Sequence, residues 1–589
     1  MSNSIHANSS FRDGGFANES QSLSPMGPSS VGSYPSPPFM GQAKTRISNK
    51  HYDVIIIGGG ATGVGTARDC ALRVLSTLLV ERYDITHGAS GRNHGLLHSG
   101  ARYAVTDPES AAECIEENMI LRRIASHCVE QHDGLFITLP EDDLQYQKRF
   151  VDACHSAGIR ADIIDPKEAR RLEPAVNPDL IGAVRVPDGS IDPFRLTMAN
   201  QLDAIRHGAD ILTYHEVTSL IMEQGRVLGV KLRNNLTGEQ TEAHASITIN
   251  AAGIWGTLIA QMAGATVNMF PAKGALLIFG HRVNNMVINR CRKPANADIL
   301  VPGDTVCVIG TTSDRVPIDT CDDMRVTPQE VDTLLTEGSQ LAPALSSTRI
   351  LRAYAGVRPL VASDNDPSGR SISRGIVCMD HEKRDGIAGF ITITGGKLMT
   401  YRLMAEKATD MACQKLGINQ KCQTAVTPLP GSENTLVETA DKKHLYAFNV
   451  KVGRRGTLAK EIEFPDAADN SLVCECEEVT VGEIRDVVER RGVSTLTGLR
   501  RRTRLGMGTC QGELCALRAA GLMCSAYNFN AQNEGYDLAK FINERWKGMY
   551  PVGWGPTLAE SQLTAGIYQD LCGLDTFANK PTPSAKATI

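Results

Sequence analysis

Three glycines and one carboxylate carry the plainest chemistry in this chain. Gly58, Gly60 and Gly63 stand in G-x-G-x-x-G spacing, directly after the apolar run Val54, Ile55, Ile56 and Ile57. The first glycine lets the chain turn tightly and the second admits a pyrophosphate close to the backbone. The third lets a helix pack on the preceding strand. Residues 61–73 carry the pattern of that helix, whose N-terminal N–H groups and positive dipole end would face the pyrophosphate. A second apolar strand, residues 77–80, runs into Glu81, where a carboxylate can accept hydrogen bonds from both hydroxyls of an adenosine ribose. Glycines alone often serve ordinary turns, but here strand, glycines, helix, second strand and acid arrive in register. The helix closes on Val74. Either Val74 takes positive φ, which costs a β-branched residue about 1–2 kcal/mol, or the helix exits another way.

A second group lies near the C-terminus. Cys474 and Cys476 form C-x-C, and Cys510 and Cys515 follow as C-x4-C among glycines. Thiolates in such pairs hold a [2Fe–2S] cluster or Zn²⁺, and four free cysteines are the remaining reading. Arg500, Arg501, Arg502 and Arg504 precede the second pair and read as a solvated face. A third group is the loop after Glu81. Residues 84–103 concentrate Arg92, His94, His98, Arg102 and Tyr103 in a stretch with little apolar pattern, and such a loop runs back over a bound cofactor.

The elements that must position these groups follow from periodicity. Residues 109–128 read as a scaffold helix. Residues 135–245 mix strands and helices and read as a domain inserted into the nucleotide fold, with a turn at Asp188-Gly189 and a helix starting at Asp192-Pro193. Residues 247–256 are a strand running into small residues and a helix. Residues 270–279 and 304–313 resemble strands of an antiparallel sheet. Residues 391–402 read as a strand, Gly395, Gly396, Lys397 and a helix start, presenting N–H groups and a cation to an anion.

The 589 residues suffice for two to four domains, and 42% hydrophobic with 22% charged residues is a globular composition. A net charge of −5 gives no footprint for nucleic acid. No apolar run is long enough for a spanning helix. The 16 cysteines are mostly scattered singly, which points to a reducing cytosol rather than a disulfide framework. Residues 1–50 are rich in Ser, Gly, Pro and Asn and are expected to be disordered, and Met40 is a candidate alternative start. The expected organisation is a nucleotide-binding and substrate unit over 51–425, a linker over 426–470, a cysteine domain over 471–530 and a tail over 531–589. In that tail Trp546 and Trp554 either dock a partner or pack back on the domain.

Taken together, residues 58–72, 91–110, 250–256, 356–360 and 395–406 resemble the FAD-dependent glycerol-3-phosphate dehydrogenases, and among them the anaerobic type that carries a cysteine domain. The resemblance runs from about residue 51 to 575. It implies an α/β, two-domain flavoprotein of the glutathione-reductase-like type with a Rossmann βαβ unit, followed by a small domain like the bacterioferritin-associated ferredoxins. That domain would bind [2Fe–2S] through Cys474, Cys476, Cys510 and Cys515, although its relatives usually space the second pair as C-x2-C. The implied FAD-binding set is Gly58, Gly60, Ala61, Thr62, Gly63, Glu81, Arg82, Ser90, Arg92 and Gly253, with Gly395 and Gly396 near the flavin. Arg102, Tyr103, Arg358, Arg374 and Lys397 would surround the substrate, with Arg358 and Arg374 gripping a phosphate.

The implied reaction is hydride transfer from C2 of sn-glycerol 3-phosphate to flavin N5, giving dihydroxyacetone phosphate. Electrons would pass to partner subunits, one carrying flavin and one a membrane-anchored iron–sulfur protein, and through them to quinone. The chain would sit peripherally on the cytoplasmic face of the inner membrane. Aerobic relatives carry a histidine shortly after the lysine-glycine of the substrate sheet. Here the segment reads Lys273-Gly274-Ala275-Leu276, which leaves the base open, with His98 as the candidate. The other readings are a flavin-dependent amine or 2-hydroxy-acid oxidoreductase and a non-catalytic electron-transfer or assembly protein.

Overall fold

Four consecutive apolar residues form a strand only where both faces of the sheet are covered, and the run at Val54 to Ile57 meets that condition. The computed structural model describes residues 47, 50–361, 375–432, 462, 466–527 and 531–574. The strand His51–Ile57 lies centrally in an eight-stranded sheet, parallel to Thr77–Val80 on one side and to Gln240–Asn250 on the other. Val54 and Ile56 turn to a layer formed with Val64 and Ala67 of the helix Ala61–Leu72 and Met404 and Ala408 of the helix Tyr401–Leu416. Ile55 and Ile57 turn to the opposite layer, with Val217, Val230 and Ala260.

The helix Ala61–Leu72 starts at Gly60, which supplies no side-chain cap, and ends before Val74, whose φ is 63°. Val74 is 82% exposed, so it contributes no packing that offsets the strained backbone. Val74→Asn, placing a residue that tolerates this region, is expected to stabilise the protein by about 1 kcal/mol. Urea unfolding measures it.

The strand pair His215–Glu223 and Arg226–Asn234 belongs to this same sheet, as an antiparallel arm on the first half of Gln240–Asn250. The second half of that strand pairs in parallel with Phe390–Gly395. The inserted domain expected over 135–245 therefore loses these strands and comes in two pieces. Its nine-stranded sheet takes Gly134–Thr138, Asp162–Ile164 and Gly182–Val186 from the first piece. The second piece supplies the long antiparallel pair Met269–Phe279 and Ile350–Val361, beside Val306–Gly310. The intervening helix Pro193–Arg206, capped by Asp192 with Pro193 in its first turn, returns to pack on Ala61–Leu72.

The cysteine domain builds its core from the helices Val481–Arg491, Leu496–Thr503, Ala516–Tyr527 and Ala531–Met549. Leu538, Phe541 and Trp546 of the last helix are buried in that core, so the domain continues past residue 530, while Trp554 is left exposed. The arginine run is not a solvated face. Arg501 donates to the carbonyls of Asp84 and Ile85 at 3.1 and 3.0 Å, and Arg502 pairs with the Asp84 carboxylate. Arg504 meets Asp192, Asp304 and Glu477 at 2.8, 3.1 and 2.9 Å. These contacts clamp the cysteine domain to the nucleotide-fold domain. The helix Leu496–Thr503 puts the charges against acids distant in sequence, and paired buried charges are tolerated where unpaired ones are not. The N-terminal extension, the alternative start at Met40 and most of the linker lie outside the described residues.

Candidate active site and cofactor sites

The elements converge on a cavity of 410 Å³. Its walls include Gly58, Gly60, Ala61, Thr62, Glu81, Arg82, Ser90, Arg92, Gly253, Gly395 and Gly396 of the expected cofactor set. The same cavity reaches His98, Arg102, Tyr103, Arg358 and Lys397. Gly63 stands behind the wall, where a Cβ would lie 1.9 Å from the Gly58 carbonyl oxygen; its role is the strand–helix contact itself. Arg374 lies outside the described residues.

The phosphate end is built from backbone. Gly60 leaves the helix N-terminus without a side-chain cap, while Ser90 Oγ accepts from the Ala61 N–H at 2.9 Å and ties the 84–103 loop to it. Glu81 accepts from the Gly59 N–H at 2.7 Å and the Tyr83 N–H at 2.9 Å, and each oxygen keeps a lone pair for a ribose hydroxyl. Burial raises the Glu81 carboxyl from its ordinary range, opposed by those two N–H donors. Arg82 stacks over Trp255 at 4.5 Å. A glycine at the helix start, an acid with open lone pairs and glycine walls fit the ADP half of FAD.

At the other end, Arg358 projects from Ile350–Val361 beside Gly274. Its guanidinium donates to the Thr312 carbonyl at 3.0 Å, to Ser313 Oγ at 3.3 Å and to the Thr311 hydroxyl. The run Thr311 to Ser313, just past Val306–Gly310, reads in the sequence only as part of a strand; hydroxyls gathered at a strand end are the signal it offers. Arg102 pairs with Asp298 at 3.0 Å, and its Nη1 is buried with no acceptor among the described residues. The Tyr103 ring gathers two more groups, Lys397 Nζ 4.8 Å from its centroid and the His98 ring at 5.4 Å. Buried Asp188 holds this loop by accepting from Ser99 N and Oγ at 2.7 and 2.8 Å. His98 Nδ1 accepts from the Gly100 N–H at 3.1 Å. The neutral ring then carries its proton on Nε2 and donates, so Nε2 takes a proton only in the other tautomer, with Nδ1 protonated and released from the Gly100 N–H.

Nothing in the sequence singles out His87. It packs 4.1 Å from the Tyr83 ring. Burial first, then Arg501 and Arg92, hold it well below its ordinary value of 6.5. A histidine kept neutral when folded but free to protonate when unfolded costs stability as pH falls below about 6.5, with a limiting slope of about 1.4 kcal/mol per pH unit. Between pH 7.5 and 5.5 the thermal midpoint is expected to fall, and that of His87→Gln to fall less.

The four cysteines meet in the C-terminal domain. Cys515 shares S–H···S contacts with Cys474 and Cys510, and Cys510 with Cys476. The contact with Cys515 brings Cys510 down to about 5 and Cys474 to about 7, while Cys515 is raised. No three potential ligands already stand in metal geometry among the described residues. Four sulfurs within mutual reach nevertheless fit an iron–sulfur cluster. Gly508 permits the approach of the two segments, since a Cβ there would lie 2.4 Å from Cys476 Cβ.

The FAD dependent oxidoreductase family matches residues 53–402, and the BFD-like [2Fe-2S] binding domain matches residues 472–524. Fold, cavity and cysteines thus define an FAD-dependent oxidoreductase that carries a [2Fe–2S] domain. The anaerobic glycerol-3-phosphate dehydrogenase A-subunit of Escherichia coli (strain K12) is 61% identical over 536 residues, covering 90% of this chain and 98% of that one. Its counterpart from Haemophilus influenzae is 57% identical, covering 90% and 94%. The A1-subunit of Haloferax volcanii is 41% identical, covering 87% and 89%. The chain belongs to this family of anaerobic glycerol-3-phosphate dehydrogenase A-subunits, and FAD and a [2Fe–2S] cluster are its cofactors. The solved glycerol-3-phosphate dehydrogenase of Bacillus halodurans complexed with FAD shares the fold, with TM-score 0.67, 22% identity and coverage of 87% and 98%. No helix among the described residues is long and apolar enough to cross a membrane.

Proposed function

We propose that this protein oxidises sn-glycerol 3-phosphate to dihydroxyacetone phosphate as the flavin-bearing part of an anaerobic-type dehydrogenase. The observation that carries the reading is the juxtaposition, in one cavity, of a dinucleotide cradle with a hydroxyl-braced arginine, Arg358. FAD, when bound, supplies the hydride acceptor. The nucleotide half is of the glutathione-reductase-like type, and 51–425 is the flavin and substrate unit.

The residues of this chain bind, orient and move a proton. Arg358 grips the substrate phosphate, joined by Arg374, since a guanidinium fork matches phosphate oxygens. The open Nη1 of Arg102 and the ammonium of Lys397 hold the glycerol oxygens. His98 Nε2–H steadies the C2 oxygen; Nε2 takes that oxygen's proton once its own proton has been passed to Nδ1, which requires the Gly100 N–H to release Nδ1.

Electrons leave through the cysteine domain, which the arginine clamp holds against the flavin domain. They reach partner subunits, one a flavoprotein and one a membrane-anchored iron–sulfur protein, and then quinone at the cytoplasmic face of the inner membrane. Exposed Tyr550, Trp554, Leu563 and Leu571 beside the cysteine domain support a partner contact there.

Turnover with an artificial acceptor tests the reading. Reduction with sn-glycerol 3-phosphate and none with glycerol, glycine, sarcosine or lactate is expected. Turnover of the amines or the hydroxy acid contradicts it.

A further inference from the structure

A second cavity, of 1850 Å³, lies between the flavin and cysteine domains. The backbone of Arg92 and Asn93 is packed where the two cavities abut. A Cβ on Gly356 would lie 2.2 Å from the Arg92 carbonyl oxygen, and Tyr354 donates to the Asn93 carbonyl at 2.7 Å. Arg352 and Arg500 line this second cavity and not the first, while Arg92 and His87 line both.

The charge of its lining is out of balance. Arg352 is only 7% exposed, and its Nε is buried with no acceptor among the described residues. Arg500 Nε and His87 Nε2 are likewise buried without one. Burial, then the neighbouring Arg352 and Arg501, push Arg500 down to about 9, while burial lowers Arg352 and Arg92 from their ordinary value. Glu544 acts on all three arginines at a distance, but it and the other acids nearby have their ion pairs elsewhere. Glu544 holds Lys547 at 2.7 Å, Asp323 holds Lys547 at 2.9 Å, and Asp322 pairs with Arg82. Buried guanidinium groups whose acidic neighbours make no ion pair with them among the described residues destabilise a protein unless something anionic joins them.

We propose that this cavity binds a phosphate-bearing anion seated against Arg352, Arg500 and Arg92. Guanidinium forks give phosphate oxygens paired donors, and His87 Nε2 adds a neutral one. The cavity has far more room than phosphate needs, and Tyr354 and Phe541 line it, so an organic phosphate fits as well as a free one.

The test uses the full-length, FAD-loaded protein at constant ionic strength. Its thermal midpoint is followed against inorganic phosphate and, separately, against AMP, with chloride as the control. A ligand of the folded state raises the midpoint saturably. The expected result is a saturable rise, lost or at least tenfold weaker in concentration in R352Q/R500Q, with the flavin absorbance of that variant retained. Without ligand, the double variant is expected to melt higher than wild type, because two buried charges that make no ion pair are gone. R500Q alone, expected to show part of the loss, serves if the double variant does not fold. R358A is expected to keep the response, which separates this cavity from the substrate site. A stronger response to AMP assigns an organic phosphate, and a response to phosphate alone assigns the free anion. No saturable rise with either, or an undiminished rise in the variants, overturns the proposal.

Discussion

Arg358→Ala is expected to lower kcat/KM for sn-glycerol 3-phosphate by roughly 10²–10⁴-fold, since charge-assisted hydrogen bonds contribute about 1.5–3 kcal/mol each and a fork makes two. Most of the loss should appear in KM, because the phosphate is gripped equally before and during the reaction. The side chain also braces the sheet by donating to Thr311, Thr312 and Ser313, so Arg358→Lys is no conservative change. A lysine keeps the charge but loses the planar fork that spans those acceptors and the phosphate together. Steady-state kinetics of the two variants, with FAD content confirmed by absorbance, checks both expectations. A variant that keeps wild-type KM removes Arg358 from the phosphate.

Gly63→Ala is expected to yield protein with less than about a tenth of the normal FAD. The added Cβ would sit 1.9 Å from the Gly58 carbonyl oxygen, a contact between backbone segments that no rotamer relieves. Relief requires the helix Ala61–Leu72 to move off the strand His51–Ile57, and that movement carries away the N–H groups that meet the pyrophosphate. Gly58 is constrained independently, by φ 114° and by a Cβ position 2.6 Å from the Ala251 carbonyl oxygen. Flavin released by heat from equal amounts of variant and wild type measures the effect. Normal FAD content in Gly63→Ala contradicts the account of this motif.

The nucleotide unit is legible in the sequence because its signals are local. The strand Thr77–Val80 and the helix start at Asp192-Pro193 stand where the sequence pattern puts them, and Val74 does take positive φ. Each depends on neighbours within a few residues. The arginines at 500–504 mislead because charge density alone resembles a solvated face, and the partners Asp84, Asp192 and Asp304 are hundreds of residues away. The strands at 215–234 carry the alternation of any hairpin, and nothing local tells which sheet they extend. Of the substrate end, Arg358 stands out only through family resemblance. A lone arginine has no local signature, and its brace from Thr311 to Ser313 is assembled by pairing of strands distant in sequence. The cysteine pairs are readable from spacing, but the helix that completes their core lies in a stretch with the pattern of a tail.

An anaerobic absorbance titration of the purified protein with sn-glycerol 3-phosphate tests the central claim most directly. The account predicts bleaching of the oxidised flavin band near about 450 nm, complete at one equivalent per FAD apart from electrons shared with the cluster. Flavin that stays oxidised with sn-glycerol 3-phosphate, while dithionite still bleaches it, contradicts the assignment of this substrate to this site.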